Sequence, residues 1–260
     1  MSGDIKLLHG DCLELMNDIE NNSIDMICAD LPYNILNKGN KHAKWDKNLP
    51  LDKLWEQYNR IIKENGAIIL FGQGMFTAQL IMSNPKMWRY NLVWDKVLKG
   101  GFLNANRMPL RQHEDILVFY KKQSLYNPQF TEGMPLHSKG VSYKSKEHKN
   151  RNYGRIKVVD DYRKGSTQKY PSSILKFEKT HPSKALHQTE KPVALIEYLI
   201  KTYSNEGDLI LDNTAGSMTT AIAAINTNRR CICIEKDDKY FEIGSERVRK
   251  HLENKQLKLF

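Results

Sequence analysis

The sequence predicts an α/β fold, a mostly parallel sheet with helices packed on it and one insert. Three observations lead there. Short apolar runs bounded by turn residues alternate with segments of helical period. Several of these runs end in a carboxylate followed by a turn, and strand ends are where open α/β sheets gather their ligands. The charge is also uneven: the 260 residues carry net +10, and 121–180 alone hold fourteen Lys/Arg against five acids, a surplus of nine.

The length suits one large domain or a domain with an insert, and 40% hydrophobic content is ordinary for a soluble globular chain. No apolar run reaches 18 residues, which argues against a membrane span. The start, Met1-Ser2-Gly3-Asp4, lacks a basic-then-apolar leader. Cys12, Cys28, Cys231 and Cys233 fall mostly in apolar runs and form no C-x-x-C pair, so they read as reduced core thiols of a cytoplasmic protein. The basic surplus points to a polyanionic partner.

Taken in order, 4–13 reads as a short strand ending at Gly10-Asp11, then a helix. Asp11 is either a turn aspartate or a ligand at a strand end. Residues 24–28 are the next strand, and Ala29-Asp30-Leu31-Pro32-Tyr33-Asn34 follows it. This stretch can hold a flat ring by its amino group. Asp30 accepts one N–H, the carbonyl of Leu31 accepts the other, Tyr33 stacks on the ring face, and Pro32 stiffens the turn. Two fixed acceptors pull the N–H bonds out of the ring plane and localise the amine's lone pair. A strand ending in an ordinary Asp-Pro-type turn is the plainer alternative.

Residues 36–48 are polar and aperiodic, with Lys38, Lys41, Lys44, Lys47 and Trp45. They read as a mobile loop beside the site, suited to a phosphate backbone. Helical spacing marks 51–64, stopped by Asn65-Gly66, and a strand covers 67–71. A helix over 73–82 breaks near Pro85. Strands over 91–94 and 115–120 form a hairpin joined through a flexible link at 99–102. The composition shifts at Lys121. Tyr126, Tyr143, Tyr153, Tyr162 and Tyr170 interleave with the cations, a mixture that suits phosphate contacts and groove reading; Lys144, Lys146, Lys149, Arg151 and Arg155 are the candidates. Order returns at 186–203, a helix capped by Thr189 with Pro192 in its early turn.

The second dense stretch is 208–224. A strand ends in Asp212, a tight turn holds Gly216, and Ser217 or Thr219 opens a helix. The next strand ends at Glu235, 23 residues after Asp212. That spacing resembles the nucleotide-binding βαβ unit, whose acid takes ribose hydroxyls, but no G-x-G-x-x-G is present. The turn therefore suits a nucleoside without phosphates.

Together these motifs resemble the amino-directed, S-adenosylmethionine-dependent DNA methyltransferases of the β class, over nearly the full chain. Asp30-Leu31-Pro32-Tyr33 is similar to the catalytic D-P-P-Y. Asp212 to Thr220 is similar to the cofactor loop D-P-F-x-G-S-G-T-T, and His187 to Pro192 to the H-P-T-x-K-P segment. Gly10-Asp11, 112–119 and 170–174 resemble further pieces of the family in the same order. The resemblance implies a Rossmann-like class I methyltransferase sheet in circularly permuted order. A catalytic half spans 1–120, a target-recognition insert 121–185 and a cofactor half 186–260. It implies adenine N6 as the target in double-stranded DNA, with the base flipped out, because aspartate heads the tetrapeptide; cytosine N4 is the alternative. It implies a cofactor pocket from Asp11, Asp30, Thr189, Lys191, Asp212, Thr214, Ala215, Gly216, Ser217, Thr219 and Glu235. No metal is called for, since the amine itself is the nucleophile. A homodimer and a cognate restriction endonuclease are partners it leaves open. An RNA or protein-glutamine methyltransferase and an inactive DNA-binding relative are the rivals. Three departures stand out: Leu31 for the first proline, Thr214 for phenylalanine, and Met218 for the second glycine. The last is strained if the position needs φ > 0.

Overall fold

The computed structural model describes residues 4–33, 49–135, 149–150, 154–155, 165–179 and 190–257, with backbone alone at 149–150 and 154–155. Thr189, Lys38, Lys41, Lys44, Lys144, Lys146 and Arg151 lie outside the described residues, as do the side chains of Lys149 and Arg155. The chain forms two compact units, one of 1–127 with 173–260 and one of 128–172.

In chain order the elements are β1 (Ile5–His9), α1 (Cys12–Leu15), β2 (Ile24–Ala29), α2 (Leu51–Ile61), β3 (Ile62–Gly72), α3 (Met75–Ser83), β4 (Trp88–Gly100) and β5 (Arg111–Phe119). Then come β6 (Thr131–Glu132), β7 (Lys149–Asn150), β8 (Gly154–Arg155), β9 (Gln168–Lys169), β10 (Ile174–Lys176), α4 (Val193–Tyr203), β11 (Leu209–Asp212), α5 (Thr219–Asn226), β12 (Arg230–Glu235) and α6 (Asp238–Leu257). The main sheet has the order β1-β12-β11-β2-β3-β5-β4-β10. β5 is antiparallel to both its neighbours, and every other pairing is parallel, so β5 is the reversed strand.

Alternation along the strands assigns each residue to a face. Met26, Cys28, Ile69, Phe71, Ile210, Cys231 and Cys233 pack with α4, α5 and α6 in one apolar cluster. Ile27, Ala29, Ile68, Leu70, Leu211 and Ile234 pack with α1, α2 and α3 in the other. The four cysteines are buried and unbridged. Among the described residues no helix is long and apolar enough to cross a membrane.

Several boundaries differ from the sequence expectation. Helix α2 ends at Ile61, because Ile62 turns to extended backbone; Asn65 and Gly66 fall in an irregular stretch of β3 where the register with β2 shifts. No side chain closes it at Gly66: a Cβ there would meet the Asp25 carbonyl at 2.8 Å, so glycine is needed for close approach of the strands. Helix α4 begins at Val193, and Pro192 is its N-cap residue rather than part of its first turn. Strand β4 continues to Gly100, beyond the expected 91–94. The compact unit 128–172 is narrower than the basic stretch 121–185. Residues 121–127 stay on the main unit through bonds such as Asn127 N–H to the Thr202 carbonyl (2.8 Å), and β10 pairs in the main sheet with β4. In the smaller unit, β6 pairs with β9 and β7 with β8, and Phe130 lies 5.0 Å from Tyr170.

Candidate active site

The sheet itself explains where the acids meet. From β2 the chain moves to β3 on one side, and from β11 to β12 on the other. β11 and β2 are therefore neighbours across a topological switch point, where a crevice opens at the carboxyl ends of the strands. Asp11, Asp30, Asp212 and Glu235 stand at the ends of β1, β2, β11 and β12, four adjacent strands. All four line one cavity of about 740 Å³, together with Leu31, Pro32, Tyr33, Lys191, Thr214, Ala215, Gly216, Ser217 and Thr219. Every site residue expected from the sequence and lying among the described main-unit residues is thus brought to one place.

On the β2 side, Asp30 accepts from the Tyr33 hydroxyl at Oδ1 (2.9 Å) and from the Lys191 ammonium at Oδ2. Burial pushes the Asp30 carboxyl up, against the pull of Lys191. Tyr33 lies 4.7 Å from Phe76 at 31°, which places its ring at the cavity wall. Leu31 is 2% exposed, so its side chain belongs to the core. That suits a position whose contribution to a ligand would be its backbone.

Lys191, expected in the cofactor set, lines the same cavity, and its ammonium is held by two carboxylates. Beside Asp30, it lies 3.4 Å from Glu114 Oε2, and Lys96 pairs with Glu114 Oε1. It sits 4.9 Å from the Phe71 ring and 6.0 Å from that of Trp94. Burial would raise Glu114, but Lys191 and Lys96 outweigh it and hold the carboxyl below its usual range. Lys191 is pushed up by its two carboxylates, although burial opposes them. Glu114 Oε2 is buried, and among the described residues its near partner is the Lys191 ammonium, an ion-pair contact.

The opposite wall is the turn after β11. Asp212 accepts from Thr220 Oγ1 (2.5 Å) and from the Thr214 N–H (3.1 Å), yet burial dominates and raises its carboxyl to about 7. The Glu235 carboxylate accepts one backbone N–H on each oxygen, Gly216 at 2.7 Å and Asp237 at 2.8 Å, so it shapes the loop as well as facing the cavity. Burial raises it, offset by those two bonds. Asp11 caps α1 through the Leu13 N–H (2.9 Å) and pairs with Lys236 (2.8 Å). The bond to Lys236 is the main reason its carboxyl is held low.

Each departure in this loop has a physical reading. Thr214 donates its hydroxyl to the Asp30 carbonyl at 3.1 Å, a bond phenylalanine could not make. Met218 does adopt φ 61, ψ 34, the left-handed conformation that favours glycine, at the N-cap of α5. Its side chain is fully buried against Gly244 of α6, where a Cβ would stand 2.4 Å from Met218 Cγ. The methionine thus occupies room that a glycine on the facing helix leaves.

Three residues absent from the sequence expectation hold the site. Arg247 of α6 donates to the Ser217 carbonyl (2.9 Å) and Thr219 Oγ1 (3.1 Å) and pairs with Glu190 (3.2 Å), while Ser217 Oγ donates to Glu190 (3.1 Å). Tyr58 donates to Asn213 Oδ1 at 2.6 Å from the far face of the loop. These partners lie 27 to 155 residues apart in the chain and leave no local pattern.

The donor set fits a cationic nucleoside better than a polyphosphate. Carboxylates from four strands face the cavity, and Lys236 is paired with Asp11. S-adenosylmethionine, with ribose hydroxyls, an ammonium and a sulfonium, has that chemistry. Among the described residues no His/Cys/Asp/Glu group is arranged to hold a metal ion.

Comparison with known proteins agrees with this geometry. Residues 24–246 match the N6/N4 family described as DNA methylase. DNA adenine methyltransferase YhdJ of Escherichia coli K12 is 27% identical over 256 residues, covering 93% of this chain and 82% of that protein. Type II methyltransferase M.HpaI of Haemophilus parainfluenzae is 28% identical over 260 residues, covering 94% and 74%. Among solved structures, the M1.HpyAVI–SAM complex superposes with TM-score 0.61 at 21% identity, covering 94% of this chain and 98% of that one. The cytosine-N4-specific PvuII DNA methyltransferase superposes with TM-score 0.65 at 14% identity, covering 96% and 92%.

Proposed function

Because this chain belongs to the N6/N4 DNA methylase family, we propose that it transfers the methyl group of S-adenosylmethionine to the N6 amino group of adenine in double-stranded DNA. The observation that carries the reading is the half-buried Asp30 carboxylate at the switch point, in one cavity with the Asp212–Thr220 turn.

The turn after β11, with Asp11 and Glu235, would hold the nucleoside and amino-acid parts of the cofactor. When bound, the cofactor supplies an electrophilic methyl group on a sulfonium sulfur. The chain's own part lies at the amine. A carboxylate oxygen accepts two hydrogen bonds, so each Asp30 oxygen keeps an acceptor site beside Tyr33 or Lys191. Asp30 and the Leu31 carbonyl would take the two N–H groups, and Tyr33 would cover the ring. Lys191 is a positioning residue: it fixes Asp30 and offsets the cost of burying that charge. Adenine over cytosine follows from aspartate at the head of the tetrapeptide, by resemblance. Groove reading belongs to the basic unit and its flanks, with Lys38, Lys41 and Lys44 as further phosphate contacts.

Long-read sequencing of DNA from cells expressing the protein should report N6-methyladenine at one short sequence. N4-methylcytosine at that sequence, without N6-methyladenine, would transfer the reading to the cytosine branch. The mapped sequence also defines which restriction endonuclease, if any, the protein protects against. Asp30→Ala should lower turnover by about 10²-fold or more while leaving cofactor affinity within a few fold, because the lost acceptor acts on the amine. Near-normal turnover in that variant removes Asp30 from the chemistry.

A further inference from the structure

The β4–β5 hairpin carries a tip that the cavity does not explain. Past the Asp95–His113 pair the ladder slips and closes again at Gly100–Arg111. Val97 sits at φ 65, rare for a β-branched residue, with its N–H donated to the Asp95 carboxylate at 2.9 Å. Gly101 at φ 88 leads into a 3-10 turn over Phe102–Asn104. The turn is closed by its own backbone bonds, from Asn104 to Gly101 (2.9 Å), Ala105 to Phe102 (3.1 Å) and Arg107 to Asn104 (2.9 Å). The tip is therefore a formed turn with backbone bonds of its own.

Its side chains nevertheless face solvent. Every residue from 97 to 109 is exposed, with Phe102 at 68%, Leu103 at 101% and Met108 at 55%. A single exposed apolar residue is ordinary, but three large ones on one compact tip, beside Val97 and Leu98, mark an interaction surface. The chemistry around them is one-sided: residues 96–112 contain Lys96, Lys99, Arg107 and Arg111 and no acid. The hairpin's base is part of the cavity wall, since Trp94, Arg111 and Glu114 line it.

We infer that this tip is a wedge that enters the target duplex and fills the space left when the base leaves the stack. The inference rests on the reading above. Extruding a base costs a few kcal/mol of unstacking, and an apolar side chain inserted at the step offsets it. Phe102 and Leu103 supply the apolar surface, Lys99 and Arg107 the contacts to flanking phosphates. The cations favour DNA over a second copy of this chain, which carries the same positive tip. Continuity with the cavity wall puts the wedge next to the pocket that would receive the base.

The test uses the duplex defined by methylation mapping, once fully paired and once with an abasic site opposite the target base. Phe102→Ser/Leu103→Ser changes only exposed side chains, so its thermal unfolding should match the parent. On the paired duplex kcat/KM should fall roughly tenfold or more, and most of that loss should disappear on the abasic duplex, where little pairing is left to break. Fluorescence of 2-aminopurine at the target position should rise on binding the parent and rise less with the variant. Equal activity of parent and variant on the paired duplex overturns the wedge, as does an equal loss on both duplexes. A parent dimer that the double substitution dissociates, by sedimentation, overturns it in favour of self-association. A parent inactive on the paired duplex overturns the methyl-transfer reading and the wedge with it, whereas an active parent matched by its variant overturns the wedge alone, so the two failures are distinguishable.

Discussion

At the scale of single residues, burial raises both Asp30 and Asp212, but their partners differ. Asp30 has an ammonium beside it, and among the described residues Asp212 accepts from a hydroxyl and a backbone N–H. Burial therefore decides for Asp212, at about 7 against an ordinary 3.8. A carboxyl raised on folding takes up a proton between those two values. Its contribution to stability is full below the lower value, declines as pH rises towards about 7, and is lost above it. Asp212→Asn mimics the protonated state at every pH. Relative to the parent, the variant should gain thermal stability as pH rises from about 4 to about 7 and no further beyond. A pH-independent difference between the two would show that folding leaves the Asp212 carboxyl unshifted. Most residues of this site were legible in the sequence, because strand-end acids and turn glycines are local features. What Lys191 does was not: its partners, Asp30 and Glu114, come from β2 and β5, and only the folded sheet brings their charges to one ammonium.

At the scale of elements, strands read well and helix ends less so. The run at 24–28, apolar but for Asp25, and the continuous one at 67–71 announce strands buried on both faces. Helix α6 gave no comparable signal, because its apolar contacts are a narrow stripe of Phe241, Val248 and Leu252 on a charged surface. Yet α6 supplies both Arg247 and Gly244 to the turn after β11. The fit of Gly244 over Met218 makes a definite prediction. Gly244→Ala should destabilise the protein by about 1–3 kcal/mol through overpacking against Met218 Cγ. Adding Met218→Gly should recover part of that loss, since it removes the clash and relieves the left-handed strain, while losing the methionine's burial. Urea unfolding of the four members of the cycle measures the coupling, and strictly additive effects would mean the two positions do not touch.

For the whole molecule, charge is uneven: nearly all of the net +10 lies in 121–180, while the cavity is lined by more acids than bases. DNA affinity should fall with salt at a slope of about −0.9 in log K per log salt for each phosphate neutralised. Neutralising Lys144, Lys146, Lys149, Arg151 and Arg155 together should flatten that slope, and an unchanged slope would place the DNA elsewhere. The compositional step announced this segment, but not its limits, because the pairing of β10 with β4 is a long-range event that composition does not encode. One small contact links the two walls of the cavity. The Thr214 hydroxyl joins the turn after β11 to the carbonyl of Asp30, so on the proposed function ordering of one ligand's wall would also order the other's. Linkage then makes the effect mutual: the factor by which cofactor tightens DNA is the factor by which DNA tightens cofactor. The enzyme would thus hold its methyl donor most firmly when a base is already waiting, and titrating each ligand at saturation of the other, in the parent and in Thr214→Val, measures how much of that reciprocity a single hydroxyl carries.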